Sequence, residues 1–130
     1  MSGVQLILLS TIMYLALPRI IIYLKRKIYP PIFNSKIFQS KTQRIGSEFF
    51  SIRLDSIGTK KLVDRDKEAF PATFSILNQE QKTIRQENFH EGQEGSIPIN
   101  QINYWFCLKE VVPNDKKTNS WAVFEIKRLN

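Results

Sequence analysis

The sequence predicts one N-terminal transmembrane α-helix followed by a small antiparallel all-β domain, a sandwich or barrel of about five or six strands. Two patterns carry this prediction. An apolar run fills residues 4–24, and after residue 46 apolar and polar residues alternate with a period of two between turns spaced about ten residues apart. We therefore divide the 130-residue chain into an anchor (1–24), a basic juxtamembrane segment (25–46) and a β domain (47–130).

The anchor is the run VQLILLSTIMYLALPRIIIYL. As a helix its 21 residues would extend about 31 Å, which matches a hydrocarbon core of about 30 Å. Arg19 lies five residues from the end of the run, where its guanidinium can reach the headgroups. The alternatives are a buried helix of the soluble domain and a cleaved secretory signal, although no basic residue precedes the apolar run.

Charge is distributed unevenly along the chain, whose formal net charge is +7. All of the surplus positive charge lies before Ser47, in a segment that contains basic residues and no acidic residue. By the positive-inside rule, the cluster Lys25-Arg26-Lys27 predicts a single-pass protein with its N-terminus outside. The C-terminal domain would then face the cytoplasm, or the matrix in a mitochondrial inner membrane. Arg19, this cluster and Lys36 are the residues that we expect to contact anionic lipid headgroups.

The juxtamembrane segment contains Pro30-Pro31, which ends any helix, and then several apolar residues among basic ones. Phe33, Ile37 and Phe38 would share one face of a helix. This spacing indicates a short interfacial element lying along the membrane. A plain tether is the alternative.

The β domain is predicted from alternating apolar residues, because successive side chains of a strand point to opposite faces. A short edge strand is expected at SIPI, where Pro98 suits a sheet margin. The segments NYWFCLKEVV and WAVFEIKRL, joined by PNDKKTNS, have the clearest hairpin pattern. The expected inward faces are Phe50, Ile52 and Leu54; Phe70, Ala72, Phe74 and Ile76; Tyr104, Phe106 and Leu108; and Ala122, Phe124 and Ile126.

Few residues suggest chemistry, and we expect no catalytic residue, metal site or cofactor. The stretch DRDKE lacks the glycine and the distal glutamate of a calcium loop, and it carries its own basic residues. His90 has no second histidine or cysteine beside it, and Cys107 alternates with core-facing positions in a strand. The region after residue 46 has equal numbers of basic and acidic residues, so no nucleic-acid partner is expected.

The most distinctive feature of the β domain is its aromatic composition. Trp105 must face away from Tyr104 and Phe106, and Trp121 would lie across from it on the next strand. An exposed pair of tryptophans would mark a protein interface, whereas burial on both sides of the strand is the alternative. We take Trp105, Trp121, Ile97 and Ile99 as candidate interface residues.

Two functions compete on this basis. The first is a non-enzymatic accessory or assembly subunit that contacts the other subunits of a membrane complex. The second is a membrane-tethered recognition module that binds a peptide or small ligand, for example by strand addition at the edge between Ile97 and Ile99.

Overall fold

The computed structural model describes residues 30–129, which form ten β-strands and one short 3-10 helix. The strands are β1 (Phe33–Phe38), β2 (Thr42–Arg44), β3 (Ser51–Ile57), β4 (Lys61–Asp64), β5 (Lys67–Ala69), β6 (Pro71–Leu77), β7 (Thr83–His90), β8 (Glu94–Ile99), β9 (Ile102–Val112) and β10 (Trp121–Arg128). The 3-10 helix is Lys117–Asn119. The expected anchor, Arg19 and the cluster Lys25-Arg26-Lys27 lie outside the described residues. Between residues 30 and 129, no helix is long and apolar enough to cross a membrane.

These strands form two four-stranded sheets and one two-stranded hairpin. Sheet A has the order β1-β10-β9-β8, sheet B has the order β2-β3-β6-β7, and β4 pairs with β5. All pairings between the named strands are antiparallel. The antiparallel all-β prediction is therefore confirmed.

The inner faces of sheets A and B enclose an apolar core. The ring of Phe74 on sheet B lies 5.0 Å from that of Phe124 and 6.0 Å from that of Phe106, both on sheet A. Each sheet is covered by the other on one face only. The apolar residues that alternate along a strand therefore point inward, and the residues between them point outward. The predicted inward faces are confirmed, with Phe70 partly buried at their margin.

The β fold begins earlier than the sequence analysis predicts, and it has ten strands rather than about five or six. Residues 33–38 and 42–44, assigned to a juxtamembrane segment, form β1 on sheet A and β2 on sheet B. Phe33, Ile37 and Phe38 do not share a face as they would in a helix. Ile37 is buried and Phe33 packs against the core, whereas Phe38 points the other way and is 44% exposed.

The charged stretch after Gly58 also differs from the expected connection. It folds into the β4–β5 hairpin, and every residue from Lys60 to Glu68 is exposed. Alternation gives no signal there, because both faces of this hairpin meet solvent over most of its length.

The β8–β9 hairpin turns through two residues, Asn100 and Gln101, which both have positive φ. Two consecutive positive φ values are typical of a type I′ turn, which matches the twist of the flanking strands. The flanking pair, Ile99 and Ile102, is therefore hydrogen-bonded across the hairpin. This turn fixes the register of β8 as the edge strand of sheet A.

Candidate protein interface

The outer face of sheet A carries a row of apolar side chains contributed by three neighbouring strands. Trp121 on β10 lies opposite Phe38 on β1 and opposite Val112 on β9. Phe38 is 44% exposed, and the other two side chains are half-buried. We call Phe38, Trp121 and Val112 the Trp121 row.

A basic side chain covers one part of this row. The ammonium group of Lys36 lies 4.1 Å from the centre of the Trp121 ring, a cation–π distance. Lys36 stands opposite Val123, a half-buried residue that extends the apolar surface along β10. The structure thus places Lys36, expected to meet lipid headgroups, on the outer face of sheet A.

Trp105 is on the same face but not beside Trp121. Its partners are Lys127 on β10 and Ser96 on β8, and Lys127 is six residues further along β10 than Trp121. At about 3.3 Å per residue, the two tryptophans are roughly 20 Å apart along the strands. Trp105 is 8% exposed, with the Lys127 ammonium group 5.2 Å from its ring centre. Its buried indole N–H has no hydrogen-bond partner among residues 30–129.

Ile97 and Ile99 lie on β8, which is the edge strand of sheet A as the sequence predicts. Their side chains, however, point into the core and are 2% and 3% exposed. Anything that approaches this edge would therefore meet backbone groups. Pro98, between them, has no N–H to offer.

Cys107 is near the middle of the outer face, opposite Glu94 on β8 and Glu125 on β10. Partial burial raises the pKa of its thiol, and the two carboxylates raise it further. Lys109 is 3.8 Å from Glu125 and opposes this effect weakly. These effects reduce the fraction of thiolate at neutral pH, and with it the reactivity of this cysteine.

The other residues considered for chemistry remain apart. His90 ends β7, and its Nδ1 lies 2.9 Å from the carbonyl oxygen of Glu91. The acidic residues of DRDKE are exposed on the β4–β5 hairpin. Within the described part of the chain, no three His, Cys, Asp or Glu side chains are grouped as metal ligands would be.

A small cleft lies at one end of the sandwich, between the segment that precedes β3 and the β6–β7 loop. Its volume is about 210 Å³, less than the several hundred Å³ typical of small-molecule sites. The lining residues are Arg44, Glu48, Phe49, Phe50, Ser51, Asn78, Gln79 and Gln81.

Sequence reasoning missed two members of the Trp121 row. The sequence places Phe38 in a short interfacial element, and Val112 lies beyond Lys109 and Glu110, two consecutive exposed residues that break the alternation of β9. A β-bulge opposite Val123 and Phe124 causes this break. The available signal was the even spacing of Phe33 and Ile37, which places both side chains on one face of a strand.

Comparison of the chain with protein-family models, with curated proteins and with solved structures gave no match.

Proposed function

We propose that this protein is a non-enzymatic, single-pass membrane protein that acts as an accessory or assembly subunit of a larger membrane complex. In this proposal the β domain docks on a neighbouring protein subunit through the Trp121 row. The observation that carries the proposal is the placement of Phe38, Trp121 and Val112 side by side on the solvent-facing side of sheet A.

The row has the composition of a protein interface. Aromatic residues are enriched in the centres of such interfaces, where charged residues are depleted. Charged side chains surround the row instead, since Lys36 lies over Trp121 and Lys109 and Glu110 are exposed on β9. An apolar centre with a polar rim is the usual arrangement of a docking patch.

The backbone of this surface is already ordered in the isolated domain. β10 is a central strand of sheet A, so Trp121 is paired with Phe38 of β1 on one side and with Val112 of β9 on the other. Docking on such a surface costs less conformational entropy than docking on a loop.

Anchoring to the membrane is proposed from the sequence of residues 4–24 and the basic residues that follow them. The orientation proposed is N-terminus outside, with the β domain in the cytoplasm or the mitochondrial matrix. An anchored domain needs little intrinsic affinity for its partner, because confinement to one membrane raises the effective concentration.

The test is the native particle size of the full chain, solubilised from its own membranes in a mild detergent. We expect a particle larger than the detergent-bound monomer, with a different protein present in fixed ratio by mass spectrometry. The variants Trp121→Ala and Phe38→Asp should release the monomer. The control is Leu62→Asp, because Leu62 is 65% exposed on the β4–β5 hairpin. The proposal would be contradicted if the wild-type protein were a monomer, or if both row variants gave particles of the same size as the wild type.

The second candidate is a membrane-tethered recognition module, and the edge position of β8 favours it. Because Ile99 and Ile102 form a hydrogen-bonded pair, the backbone groups of Ser96 and Pro98 point away from β9. A peptide strand could pair with them, although Pro98 offers no donor. Ser96→Pro would remove a donor from this edge. A recognition module would lose peptide binding through this change, whereas an assembly subunit would keep its particle size.

A further inference from the structure

The chain joins the β domain at one defined end of the sandwich. The backbone N–H of Ile32 donates a 2.8 Å hydrogen bond to the carbonyl oxygen of Ile126, just before β1 starts and near the end of β10. The loop 45–50 lies at the same end, because Glu48 is 3.6 Å from Arg128 at the end of β10. The loop 78–82 lies beside it, because Ser51, which starts β3, is paired with Leu77, which ends β6. We call this the proximal end, and the end with the β4–β5 hairpin the distal end.

A large aromatic side chain is exposed at the proximal end. Phe49 precedes β3, is 62% exposed, and borders the 210 Å³ cleft. Arg44 and Lys82 are exposed at the same end. The acidic residues there are Glu48, which is engaged by Tyr104 and Arg128, and the exposed Glu80.

The length of the connecting chain restricts where this end can lie. Pro30 follows Leu24, the end of the proposed span, by six residue steps, and even a fully extended chain covers only about 20 Å in that number of steps. The eleven residues of β9 extend about 36 Å. A domain held on so short a connection has its proximal end near the bilayer and its distal end much further away.

We infer that Phe49 enters the headgroup layer of the membrane that holds the anchor, with Arg44 and Lys82 at the same end facing the lipid phosphates. This inference rests on the proposed membrane anchoring and adds the orientation of the domain to it. An aromatic ring flanked by basic side chains is suited to the boundary between headgroups and acyl chains.

A single ring is enough for such a contact. Burial of one phenylalanine side chain makes a favourable contribution that is too small to hold a free protein on a membrane. The domain is already confined at the surface by its anchor, so the same contribution is sufficient to favour one orientation. This distinguishes Phe49 from the Trp121 row, where three strands supply a continuous surface that fits a protein.

The test measures the distance of two matched positions from lipid in the full chain. Phe49→Cys and Leu62→Cys are each made in a Cys107→Ser background, labelled with bimane and reconstituted into vesicles of phosphatidylcholine and phosphatidylglycerol. Leu62 is the control because it is 65% exposed, close to the 62% of Phe49, and lies at the distal end. Part of the phosphatidylcholine carries bromine on its acyl chains near the headgroup, where it quenches bimane on contact. Brominating both leaflets makes the result independent of which way the chain inserts.

We expect about a twofold loss of emission at position 49 and no loss at position 62, as for a side chain seated at the acyl boundary. Flotation of the same vesicles reports anchoring separately. If the chain floats and quenching is equal at both positions, or absent at position 49, the inference is wrong and the proposed anchoring stands. A chain that does not float overturns the proposed anchoring, and the inference with it. Emission at position 49 that is protected by a bound protein instead of lipid would assign this end to a protein partner and overturn the inference.

Discussion

The hydroxyl group of Tyr104 donates a 2.8 Å hydrogen bond to the carboxylate of Glu48. Tyr104 is on β9 of sheet A and is 2% exposed, whereas Glu48 lies in the segment that leads into β3 of sheet B. The second oxygen of Glu48 is 3.6 Å from Arg128 on β10. Glu48 therefore joins the two sheets through polar contacts at the proximal end, beside the edge-to-face packing of Tyr104 on Phe50.

Removing this hydroxyl should destabilise the domain. We expect Tyr104→Phe to lower the free energy of unfolding by about 1.5–3 kcal/mol, because a hydrogen bond to a charged group is lost in a buried place. Glu48→Gln keeps an oxygen acceptor and should cost less. Urea unfolding of the full chain in a non-ionic detergent, followed by near-ultraviolet circular dichroism, measures both. Equal stability of Tyr104→Phe and the wild type would contradict this prediction.

The same contact predicts a loss of stability at alkaline pH. Burial, the hydrogen bond to Glu48 and the charge of Glu48 together raise the pKa of Tyr104 from 10.0 to about 12. Since the folded state favours the neutral phenol, its contribution is complete below pH 10 and is lost as the pH rises through about 12. The free energy of unfolding should fall across this interval in the wild type and less steeply in Tyr104→Phe. Parallel curves for the two proteins would rule out this contribution.

Asp55 predicts the opposite dependence, at acid pH. Burial by itself would raise its pKa, but hydrogen bonds from Ser75, Arg53 and Gln86, with the Arg53 charge, outweigh burial and lower the pKa below 3.8. The carboxylate therefore stabilises the fold above pH 3.8, and this contribution is lost as the pH falls through the lower folded-state pKa. In Asp55→Asn the free energy of unfolding should therefore fall less steeply as the pH decreases. Asp64→Asn, at an exposed position on β4, is the control, and its free energy of unfolding should fall as steeply as that of the wild type.

Cys107 should react slowly with thiol reagents at neutral pH. Partial burial and the neighbouring Glu94 and Glu125 raise the pKa of its thiol, which reduces the thiolate fraction that reacts. We expect alkylation by iodoacetamide to be slower in the folded protein than in urea, and to accelerate as the pH rises above neutrality. A rate as fast as that of the urea-unfolded chain would contradict the placement of this side chain. Cys107→Ser should fold normally, as the vesicle experiment requires.

Two truncations should separate the β domain from what precedes it. Deleting residues 1–29 keeps all ten strands and should leave a folded, β-rich fragment. Deleting residues 1–46 removes β1, β2 and the residue that follows β2, and with them the buried side chains of Ile37 and Ile45, which are 2% and 0% exposed. Losing a buried isoleucine side chain costs about 2–5 kcal/mol, and a domain is stable by only about 5–15 kcal/mol. Circular dichroism and amide NMR dispersion should show the shorter fragment unfolded. Equal dispersion in both fragments would argue against β1 and β2 as parts of the fold.

The sequence predicts the inner faces of the long strands well because that signal is local. Apolar residues that alternate along one segment, such as Phe50, Ile52 and Leu54, report which face of that segment is covered, whatever sheet it joins. The pattern fails for β1. The spacing of Phe33 and Ile37 fits a helix as well as a strand, and the partner that decides between them, β10, lies at the opposite end of the chain.

The candidate interface depends on register, which alternation does not determine. Period two places Trp105 and Trp121 on the outer face, but it does not reveal that they are separated along the strands. The offset follows from the length of the β9–β10 connection and from the bulge opposite Val123 and Phe124. For the same reason the sequence could not show that Trp121 has Phe38 and Val112 as neighbours, since these residues come from three different strands.

The position of β1 has a mechanical consequence for a chain held in a membrane. A pull on Pro30 along the strand axis acts on β1, whose six residues pair with β10 from Phe33 to Phe38. If the partner holds Trp121 and Val112, this load shears all the hydrogen bonds between β1 and β10 together instead of opening them one after another. The pairing of β1 with β10 would then carry the tension between the proposed anchor and the partner. Its resistance to shear would determine how much force the domain withstands before it unfolds.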